Sequence, residues 1–353
     1  MNKDQLLRSK IKSKNITIGV IGLGYVGLEL AILIAKKKYN IFGFDKNNQK
    51  VKLIKKGKSP INTINSQSLK FLNKKNILHT SDLDKISSCD IIIICLPTPL
   101  KKNQLPDMSF LTNCYKSISK YLRKNQMIIL ESTVYPNATK EIFENKIKKR
   151  FIIGKEFNVC FSPERISPGH NRSYSYNQIA KVISGRTASC LENINNFYKN
   201  IFKKVHKCES IEIAEFTKLY ENAYRAVNIG LVNQIKMICS KMNINVFDVI
   251  RAAKTKPFGF MPFHPGPGVG GHCIPVDPLF IVHTANKLNL KSELIKLSCN
   301  VNLETTKWII KKIEKNVIKK SKILILGAAY KKNVDDYRES PSLKIIKNLS
   351  KSY

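Results

Sequence analysis

Short apolar runs rich in β-branched residues recur over the first 205 residues of the chain. Residues 15–21 form a continuous apolar run of the kind that is buried on both faces of a parallel sheet. Residues 40–44, 90–95, 127–130 and 158–161 repeat this run, and an amphipathic helical pattern follows the first of them. The alternation predicts an α/β domain with a doubly wound, mostly parallel sheet.

A long helical pattern replaces this alternation from about Ser210 to about Met242. On it Glu215, Lys218 and Asn222 recur at spacings of three and four residues, which places them on one face of the helix. A solvated charged face is the usual explanation of such a set. Small or apolar residues beside this face favour a partly buried Lys218 instead. They are Leu219, Ala223 and Ala226.

Two further helices and one more α/β pattern follow in the last third of the chain. Helical periodicity returns over residues 291–320, where we expect a long helix that connects two domains. Residues 322–327 restart the strand-to-glycine pattern, and Ser340-Pro341 has the form of a helix start. One strand and one helix cannot close a parallel sheet, so we expect this last α/β unit to be incomplete. The predicted domains are residues 1–205, 206–320 and 321–353.

The composition is ordinary for a soluble globular protein, with 43% hydrophobic residues in 353. No apolar run approaches the ~20 residues that a membrane helix needs, and residues 1–15 lack the apolar core of a secretory signal. We therefore expect a cytoplasmic protein without a membrane partner. Nine cysteines are scattered without CxxC pairs, which argues against a disulfide framework and against a structural zinc site.

The formal net charge of +36 makes nucleic-acid binding a class to consider. Nucleic-acid-binding proteins cluster their basic residues on one face or tail, whereas lysines here are spread over every segment. We therefore expect no nucleic-acid partner, although a basic nucleic-acid-binding protein stays open as an alternative. A basic surface still attracts an anionic small substrate over long range.

A glycine-rich turn, Gly22-Leu23-Gly24-Tyr25-Val26-Gly27, separates the first strand from the first helix. This order is that of the Rossmann-type fold, in which the glycines let a pyrophosphate approach the helix N-terminus. The next strand ends on Asp45, about twenty residues past the turn, where a carboxylate bonds the adenosine ribose. An acid there favours NAD over NADP. A glycine-rich turn of another α/β protein is the alternative.

Polar turns bounded by prolines follow three of the predicted strands. They contain Thr98, Thr133 and Glu164. Ligands of open parallel sheets bind at the carboxyl ends of the strands, so these turns are candidate parts of a binding site. Glu164 lies between Pro163 and Pro168 and is a candidate catalytic residue; taken alone, a surface glutamate is the alternative.

A proline- and glycine-rich loop at residues 265–278 holds Cys273 four residues before Asp277. Glycine lets the backbone approach a ligand, and proline stiffens the flanks of the loop. A thiol beside a carboxylate and backbone N–H groups suggests covalent catalysis through a thiolate. A buried structural cysteine in a tight turn is the alternative.

Taken together, the motifs resemble those of the UDP-glucose/GDP-mannose dehydrogenase family of NAD-dependent nucleotide-sugar oxidases, from about Ile16 to the end of the chain. Residues 255–263, with His272 and Val276 on either side of the loop cysteine, resemble the branch that acts on UDP-N-acetylhexosamines, above all UDP-N-acetylglucosamine. The motifs that carry the resemblance are GLGYVG at 22–27, PTP at 97–99, STV at 132–134, SPER at 162–165, the Lys218/Asn222 helix, GVGGHCIPVDP at 268–278 and YKKNVDDYRESPSL at 330–343.

The resemblance implies a four-electron oxidation of a sugar C6 alcohol to a carboxylate with two NAD⁺ in succession. Asp277, or a water that it holds, then acts as the base, and Lys218 and Asn222 stabilise the developing oxyanion. Cys273 captures the aldehyde as a thiohemiacetal, which becomes a thioester. Glu164 and Thr133 match family positions that handle the hydrolytic water.

The same resemblance extends to ligand-binding residues in both halves of the chain. The expected cofactor-binding residues are Gly22, Gly24, Tyr25, Val26, Gly27, Asp45, Lys50, Thr98, Thr133 and Arg338. The expected substrate-binding residues are Glu164, Arg165, Lys218, Asn222, Gly268, Gly270 and Lys331.

The resemblance also implies a homodimer formed through the central helical domain. Family members continue past the last helix to complete a domain that covers the uridine diphosphate, so we expect an incomplete C-terminal α/β nucleotide-sugar domain here. Two alternatives stay open. One is oxidation of UDP-glucose or UDP-N-acetylmannosamine, and the other is an inactive remnant that binds NAD.

Overall fold

The structure is a computed structural model that describes residues 3–62, 64–72, 77–165, 179–331, 336–351 and 353. These residues form two compact units. The first is built from residues 1–99 and 107–218, and the second from residues 100–106 and 219–353.

The first unit is organised around an eight-stranded sheet with the strand order β3-β2-β1-β4-β5-β6-β7-β8. Neighbouring strands are parallel except for β6 and β7, which are antiparallel. The order reverses between β1 and β4, which confirms the predicted doubly wound sheet. The strands are β1 (Thr17–Ile21), β2 (Asn40–Phe44), β3 (Ile77–Thr80), β4 (Ile91–Ile94), β5 (Gln126–Leu130), β6 (Phe157–Phe161), β7 (Lys181–Gly185) and β8 (Val205–Lys207).

The central strands are buried because their side chains are apolar on both faces. All four isoleucines of β4 are fully buried, and the register pairs Ile91 with Ile18 of β1 on one side and Met127 of β5 on the other. The helices of this unit are α1 (Lys3–Ser13), α2 (Tyr25–Lys36), α3 (Asn48–Lys55), α4 (Ser109–Ile118), α5 (Asn145–Ile147) and α6 (Ala188–Tyr198).

Helix α1 was not predicted from the sequence, because its three apolar residues, Leu6, Leu7 and Ile11, stand among lysines and other polar residues. Leu7 and Ile11, one helical turn apart, are 3% and 1% exposed and belong to the main core of this unit. The Lys10 ammonium lies 3.1 Å from the buried Asp90 carboxylate, which also accepts the backbone N–H of Thr17.

Helix α7 (Ile211–Lys241) contributes its first turns to the first unit and the remainder to the second. The carboxylate of Glu215 is 1% exposed and accepts the backbone N–H groups of Asn137, at 2.7 Å, and Thr139, at 2.9 Å. These groups begin the helical segment after the β5 turn. Glu215 thereby ties the start of α7 to the segment that follows β5.

The second unit is helical. Buried amides join α7 to the helix over Glu293–Asn316: the Asn302 side chain donates to the carbonyl of Ala226 at 3.0 Å and accepts from Asn233 at 3.1 Å. Among the described residues, no helix has the length and apolar character required to cross a membrane. The remaining helices are α8 (Val246–Ala253), α9 (Asp277–Lys287), α10 (Glu293–Asn316) and α11 (Pro341–Leu349).

The strand predicted over residues 322–327 is wrong. The segment contains no regular secondary structure, and Leu324 and Leu326 are 82% and 88% exposed. A strand is defined by hydrogen bonds to a neighbour, and none of the described residues pairs with this segment. The helix predicted at Ser340-Pro341 does form, as α11, with Pro341 at its first position.

We predict that Glu215→Gln makes the stability of the first unit less dependent on pH. Burial raises the pKa of Glu215 from 4.5 to about 7, so the folded state favours the protonated carboxyl. The wild type should therefore lose up to roughly 3 kcal/mol of unfolding free energy as the pH rises from about 4.5 through about 7, at 1.36 kcal/mol per pKa unit.

Urea unfolding at several pH values between 5 and 8 measures this difference. Glu304→Gln is the matched control, because the Glu304 side chain is 61% exposed. An unfolding free energy difference between wild type and Glu215→Gln that stays constant with pH contradicts the prediction.

Candidate active site

The glycine-rich turn of the first unit is open where a cofactor phosphate would approach. Gly22 has φ +92°, and a Cβ atom built on it would lie 2.6 Å from the carbonyl oxygen of Cys95. A Cβ atom on Gly24, in contrast, meets nothing within 4 Å. Gly24 is the N-cap of α2, which begins with Tyr25 and Val26. An open helix N-terminus of this kind is suited to a pyrophosphate.

Asp45, at the end of β2, is held against this turn. One carboxylate oxygen accepts the Leu23 N–H at 3.0 Å and the Lys50 ammonium at 3.1 Å, and the other accepts the Asn47 N–H at 2.9 Å. A carboxylate has about four lone-pair sites, so these three contacts leave one for a ribose hydroxyl. Asp45 and Lys50, both predicted cofactor ligands, therefore lie together beside the glycine turn.

The turns that follow β4 and β5 lie at the same edge of the sheet. The hydroxyl of Ser132 accepts the backbone N–H of Leu96 at 2.9 Å and joins the two turns. Thr98 and Thr133, which the sequence singles out, are half-buried in these turns. The glycine turn, Asp45 and these two turns give the first unit the features that an NAD site requires.

Glu164 is buried in the first unit, which excludes the alternative of a surface glutamate. It is 5% exposed, and one carboxylate oxygen lies 3.8 Å from the ammonium of Lys181. The neighbouring Arg165 donates from its guanidinium to the carbonyl of Ala180 at 2.9 Å. Residues 166–169, which the sequence also singled out, lie outside the described residues.

Sequence reasoning missed the buried residues around Glu164. Lys181 opens β7 and places its ammonium 2.5 Å from the carboxylate of Glu131, whose other oxygen accepts the hydroxyl of Tyr198. The signal available in the sequence was a lysine between the apolar pairs Ile179-Ala180 and Val182-Ile183, where a charged side chain is unusual.

The second unit holds Cys273 one turn before α9. The Cys273 carbonyl accepts the backbone N–H groups of Val276 at 3.1 Å and Asp277 at 2.8 Å, which fixes the turn into the helix. All nine cysteines are free thiols, and six of them are buried. Cys273 is half-buried, as are Cys95 and Cys299, so its thiol is within reach of a ligand.

Asn222 and Asp277 form a buried pair beside this turn. The amide of Asn222 donates to the carboxylate of Asp277 at 2.7 Å, and the two residues are 7% and 3% exposed. The Arg225 guanidinium, 3.3 Å from the amide oxygen of Asn222, fixes the orientation of that amide. Lys218 lies one helical turn before Asn222 on α7 and is half-buried, as the sequence predicts.

Tyr330 and residues 336–338 pack against the cysteine loop. Gly271 has φ +81°, and a Cβ atom built on it would lie 2.7 Å from the ring of Tyr330. The Gly271 N–H donates to the carbonyl of Arg338 at 3.0 Å. Arg338, predicted as a cofactor ligand, places its guanidinium 2.7 Å from Asp336 and 3.2 Å from a ring nitrogen of His272.

Lys331 shares the electrostatic environment of the loop cysteine. Burial lowers the pKa of Lys331; the Arg225 guanidinium acts in the same direction, and Cys273 acts in the opposite one. Lys331 is therefore close enough to Cys273 for the two side chains to interact electrostatically. Gly268 and Gly270 lie half-buried in the same loop. Within this unit the structure brings together Cys273, Asn222, Asp277 and Lys331.

Three stretches of the chain match the UDP-glucose/GDP-mannose dehydrogenase family. Residues 16–202 match its NAD binding domain, residues 212–304 its central domain and residues 324–353 its UDP binding domain. The first stretch contains the glycine turn and Asp45, and the second contains Asn222 and Cys273. NAD is therefore the cofactor, and the residues of the first unit fit it.

Full-length relatives agree with this match. The chain is 34% identical to a UDP-N-acetyl-D-glucosamine 6-dehydrogenase of Pseudomonas aeruginosa, over 96% of this chain and 81% of the relative. It is 35% identical to a UDP-N-acetyl-D-mannosamine dehydrogenase of Methanococcus maripaludis, over 94% of this chain and 76% of the relative.

A solved structure agrees as well. The UDP-D-ManNAc dehydrogenase of Pyrococcus horikoshii has a TM-score of 0.85 and 29% identity, over 96% of this chain and 81% of that one. The buried Asn222–Asp277 pair beside a reachable thiol, the NAD-type turn and these matches lead to one conclusion. The chain belongs to the UDP-glucose/GDP-mannose dehydrogenase family and is an NAD-dependent nucleotide-sugar dehydrogenase.

Proposed function

We propose that the chain oxidises the C6 hydroxyl of UDP-N-acetylglucosamine to the carboxylate in two successive steps. The observation that supports this best is the position of Cys273 beside the Asn222–Asp277 pair, 2.7 Å between amide nitrogen and carboxylate oxygen. A simple alcohol dehydrogenase needs no nucleophile, whereas a four-electron oxidation uses one to retain the aldehyde.

The choice of sugar rests on the loop and on the relatives. His272 directly precedes Cys273, and Val276 directly precedes Asp277, as in the branch that acts on UDP-N-acetylhexosamines. One full-length relative is named for UDP-N-acetyl-D-glucosamine, and another of similar identity for UDP-N-acetyl-D-mannosamine. UDP-N-acetylmannosamine is therefore the second candidate substrate.

The proposed chemistry divides between an acid–base step and a covalent step. When bound, NAD⁺ accepts a hydride from the sugar carbon in each oxidation. Asp277, oriented by Asn222, takes the hydroxyl proton directly or through a water, and Lys218 with Asn222 stabilises the negative oxygen. The Cys273 thiolate adds to the aldehyde carbon and gives a thiohemiacetal, which becomes a thioester after the second oxidation.

Hydrolysis of the thioester completes the proposed reaction. Glu164, aided by Thr133, takes a proton from water while the water oxygen bonds to the thioester carbon. The carbon–sulfur bond then breaks, and Cys273 leaves as the thiolate. In this proposal residues 1–205 bind the cofactor, residues 206–320 supply the thiol and residues 321–353 contact the nucleotide.

We further propose that the chain forms a homodimer through α7. A stripe of large apolar side chains on this helix and at the residue directly after it is 41–63% exposed. Their spacings of four and seven residues place them on one side of the helix. An exposed apolar stripe of this length is typical of a protein interface. The residues of the stripe are Tyr220, Tyr224, Leu231, Ile238 and Met242.

We expect the protein to form NADH from UDP-N-acetylglucosamine, with two NADH for each uronate. UDP-N-acetylmannosamine and UDP-glucose, assayed in parallel by absorbance and by chromatography of the product, provide the comparison. Turnover of UDP-glucose alone would exclude the proposed substrate class. Absence of turnover with all three sugars, together with NAD binding by calorimetry, would support the inactive remnant instead.

Substitution Cys273→Ser should abolish uronate formation, by roughly a thousand-fold or more, since removal of a covalent nucleophile has effects of this size. Intact-mass measurement should find no acyl-enzyme in the variant. Cys299→Ser is the matched control because Cys299 is also half-buried in the second unit, where burial raises its pKa to about 11. Equal loss of activity in the two variants contradicts the assignment of Cys273.

Substitution Leu231→Glu should convert the dimer to a monomer in light scattering coupled to size-exclusion chromatography. A charge placed in the apolar stripe has to be desolvated on association, which disfavours the dimer. Leu324→Glu, at a side chain that is 82% exposed outside the stripe, serves as the control. A wild type that is monomeric at micromolar concentration refutes the proposed interface.

A further inference from the structure

We propose that Lys181 is a positioning residue for the hydrolytic step, whose buried ammonium keeps the Glu164 carboxylate ionised and in place. This inference rests on the proposed function, in which Glu164 takes a proton from the attacking water. Neither Lys181 nor its partners Glu131 and Tyr198 contact the reacting atoms in this proposal. They act through Glu164.

The Lys181 ammonium lies in the interior of the first unit. Lys181 is 5% exposed, and its ammonium nitrogen lies 5.3 Å from the ring centroid of Tyr198 and 5.4 Å from that of Phe202. Its nitrogen is 2.5 Å from one carboxylate oxygen of Glu131 and 3.8 Å from one of Glu164. The second oxygen of Glu131 accepts the Tyr198 hydroxyl.

The carboxylates of Glu131 and Glu164 differ in their contact with the Lys181 ammonium. Glu131 is bound by hydrogen bonds from both Lys181 and Tyr198, so its two oxygens are occupied. The contact with Glu164 is longer than a hydrogen bond and is therefore electrostatic. Lys181 thus stabilises the charge of Glu164 without occupying one of its lone pairs, which is what a general base requires.

One ammonium between two buried carboxylates leaves an excess of negative charge. Burial raises the pKa of Glu131 in spite of Lys181, and burial together with Glu164 raises the pKa of Glu29 to about 7. Burial also raises the pKa of the Cys95 thiol, with Glu131 and Glu164 acting in the same direction. Each of these neighbours disfavours further negative charge, and the Lys181 ammonium, 3.8 Å from the Glu164 carboxylate, is a compensating cation.

The test uses opposite changes in charge around Glu164. Lys181→Met removes the cation, so Glu164 should stay protonated to higher pH, and the acid limb of thioester hydrolysis should move up by one pH unit or more. At a fixed pH on that limb, the rate of thioester hydrolysis in Lys181→Met should therefore be lower by roughly tenfold or more. Glu131→Gln removes the competing carboxylate and should move the same limb to lower pH.

Quenched-flow mass spectrometry from pH 5 to 9 follows the decay of the Cys273 acyl-enzyme. This decay measures the acid limb of thioester hydrolysis directly. Lys181→Arg keeps the charge and should restore a nearly wild-type profile. Lys10→Met, which removes the 3.1 Å ion pair with Asp90 from the same unit, should leave the profile unchanged. Damage to the fold alone does not produce shifts of opposite sign, so that pattern supports the inference.

Infrared difference titration of the free protein provides a readout that does not need turnover. The carboxyl band of Glu164, assigned with Glu164→Gln, should titrate at higher pH in Lys181→Met and at lower pH in Glu131→Gln. Bands that do not move, or that move in the same direction, overturn the inference. If Lys181→Met does not fold, the Glu164 bands of Glu131→Gln and Lys181→Arg test the inference without it.

The same two readouts separate this inference from the proposed function. Opposite infrared shifts in a protein that oxidises no UDP-sugar would support control of Glu164 by Lys181 and count against the proposed reaction. The opposite result is a protein that oxidises UDP-N-acetylglucosamine but whose Glu164 infrared band stays in place in both Lys181→Met and Glu131→Gln. That result would support the reaction and overturn the role of Lys181.

Discussion

Burial of the central strands on both faces is the constraint from which the chemistry of the first unit follows. Because β4 and β5 are parallel neighbours, the turns that carry Thr98 and Thr133 have to leave the sheet at the same edge. The glycine turn after β1 reaches that edge as well, next to the point where the strand order reverses. A ligand site at this position follows from the topology.

Buried carboxylates in both units are compensated by polar or charged groups. Glu215, Glu164 and Asp277 are each 5% exposed or less. An unpaired carboxylate at such burial is costly, so each needs a compensating group nearby. Backbone N–H groups donate to Glu215 and an amide donates to Asp277, whereas the Lys181 ammonium compensates Glu164 electrostatically from 3.8 Å.

The sequence predicted the periodic elements and the residues within each local motif. The apolar runs give the sheet strands β1, β2, β4, β5 and β6, and the 3.6-residue pattern gives α7 nearly to its ends. It did not predict α1, since three apolar residues among lysines and other polar residues resemble a solvated tail. It wrongly predicted a strand at residues 322–327, because apolar alternation does not reveal whether a partner strand exists.

By itself, the sequence determined the local patterns that mark the candidate site residues: the glycine turn, Asp45, Cys273 and Asp277. Only the tertiary structure decided what surrounds them. From the sequence alone, Glu164 resembles a surface residue, but the fold places it 3.8 Å from Lys181, seventeen positions later in the chain. In the same way, Asn222 donates a hydrogen bond to Asp277, which is fifty-five positions later. Contacts of this kind depend on packing between elements, which local periodicity does not encode.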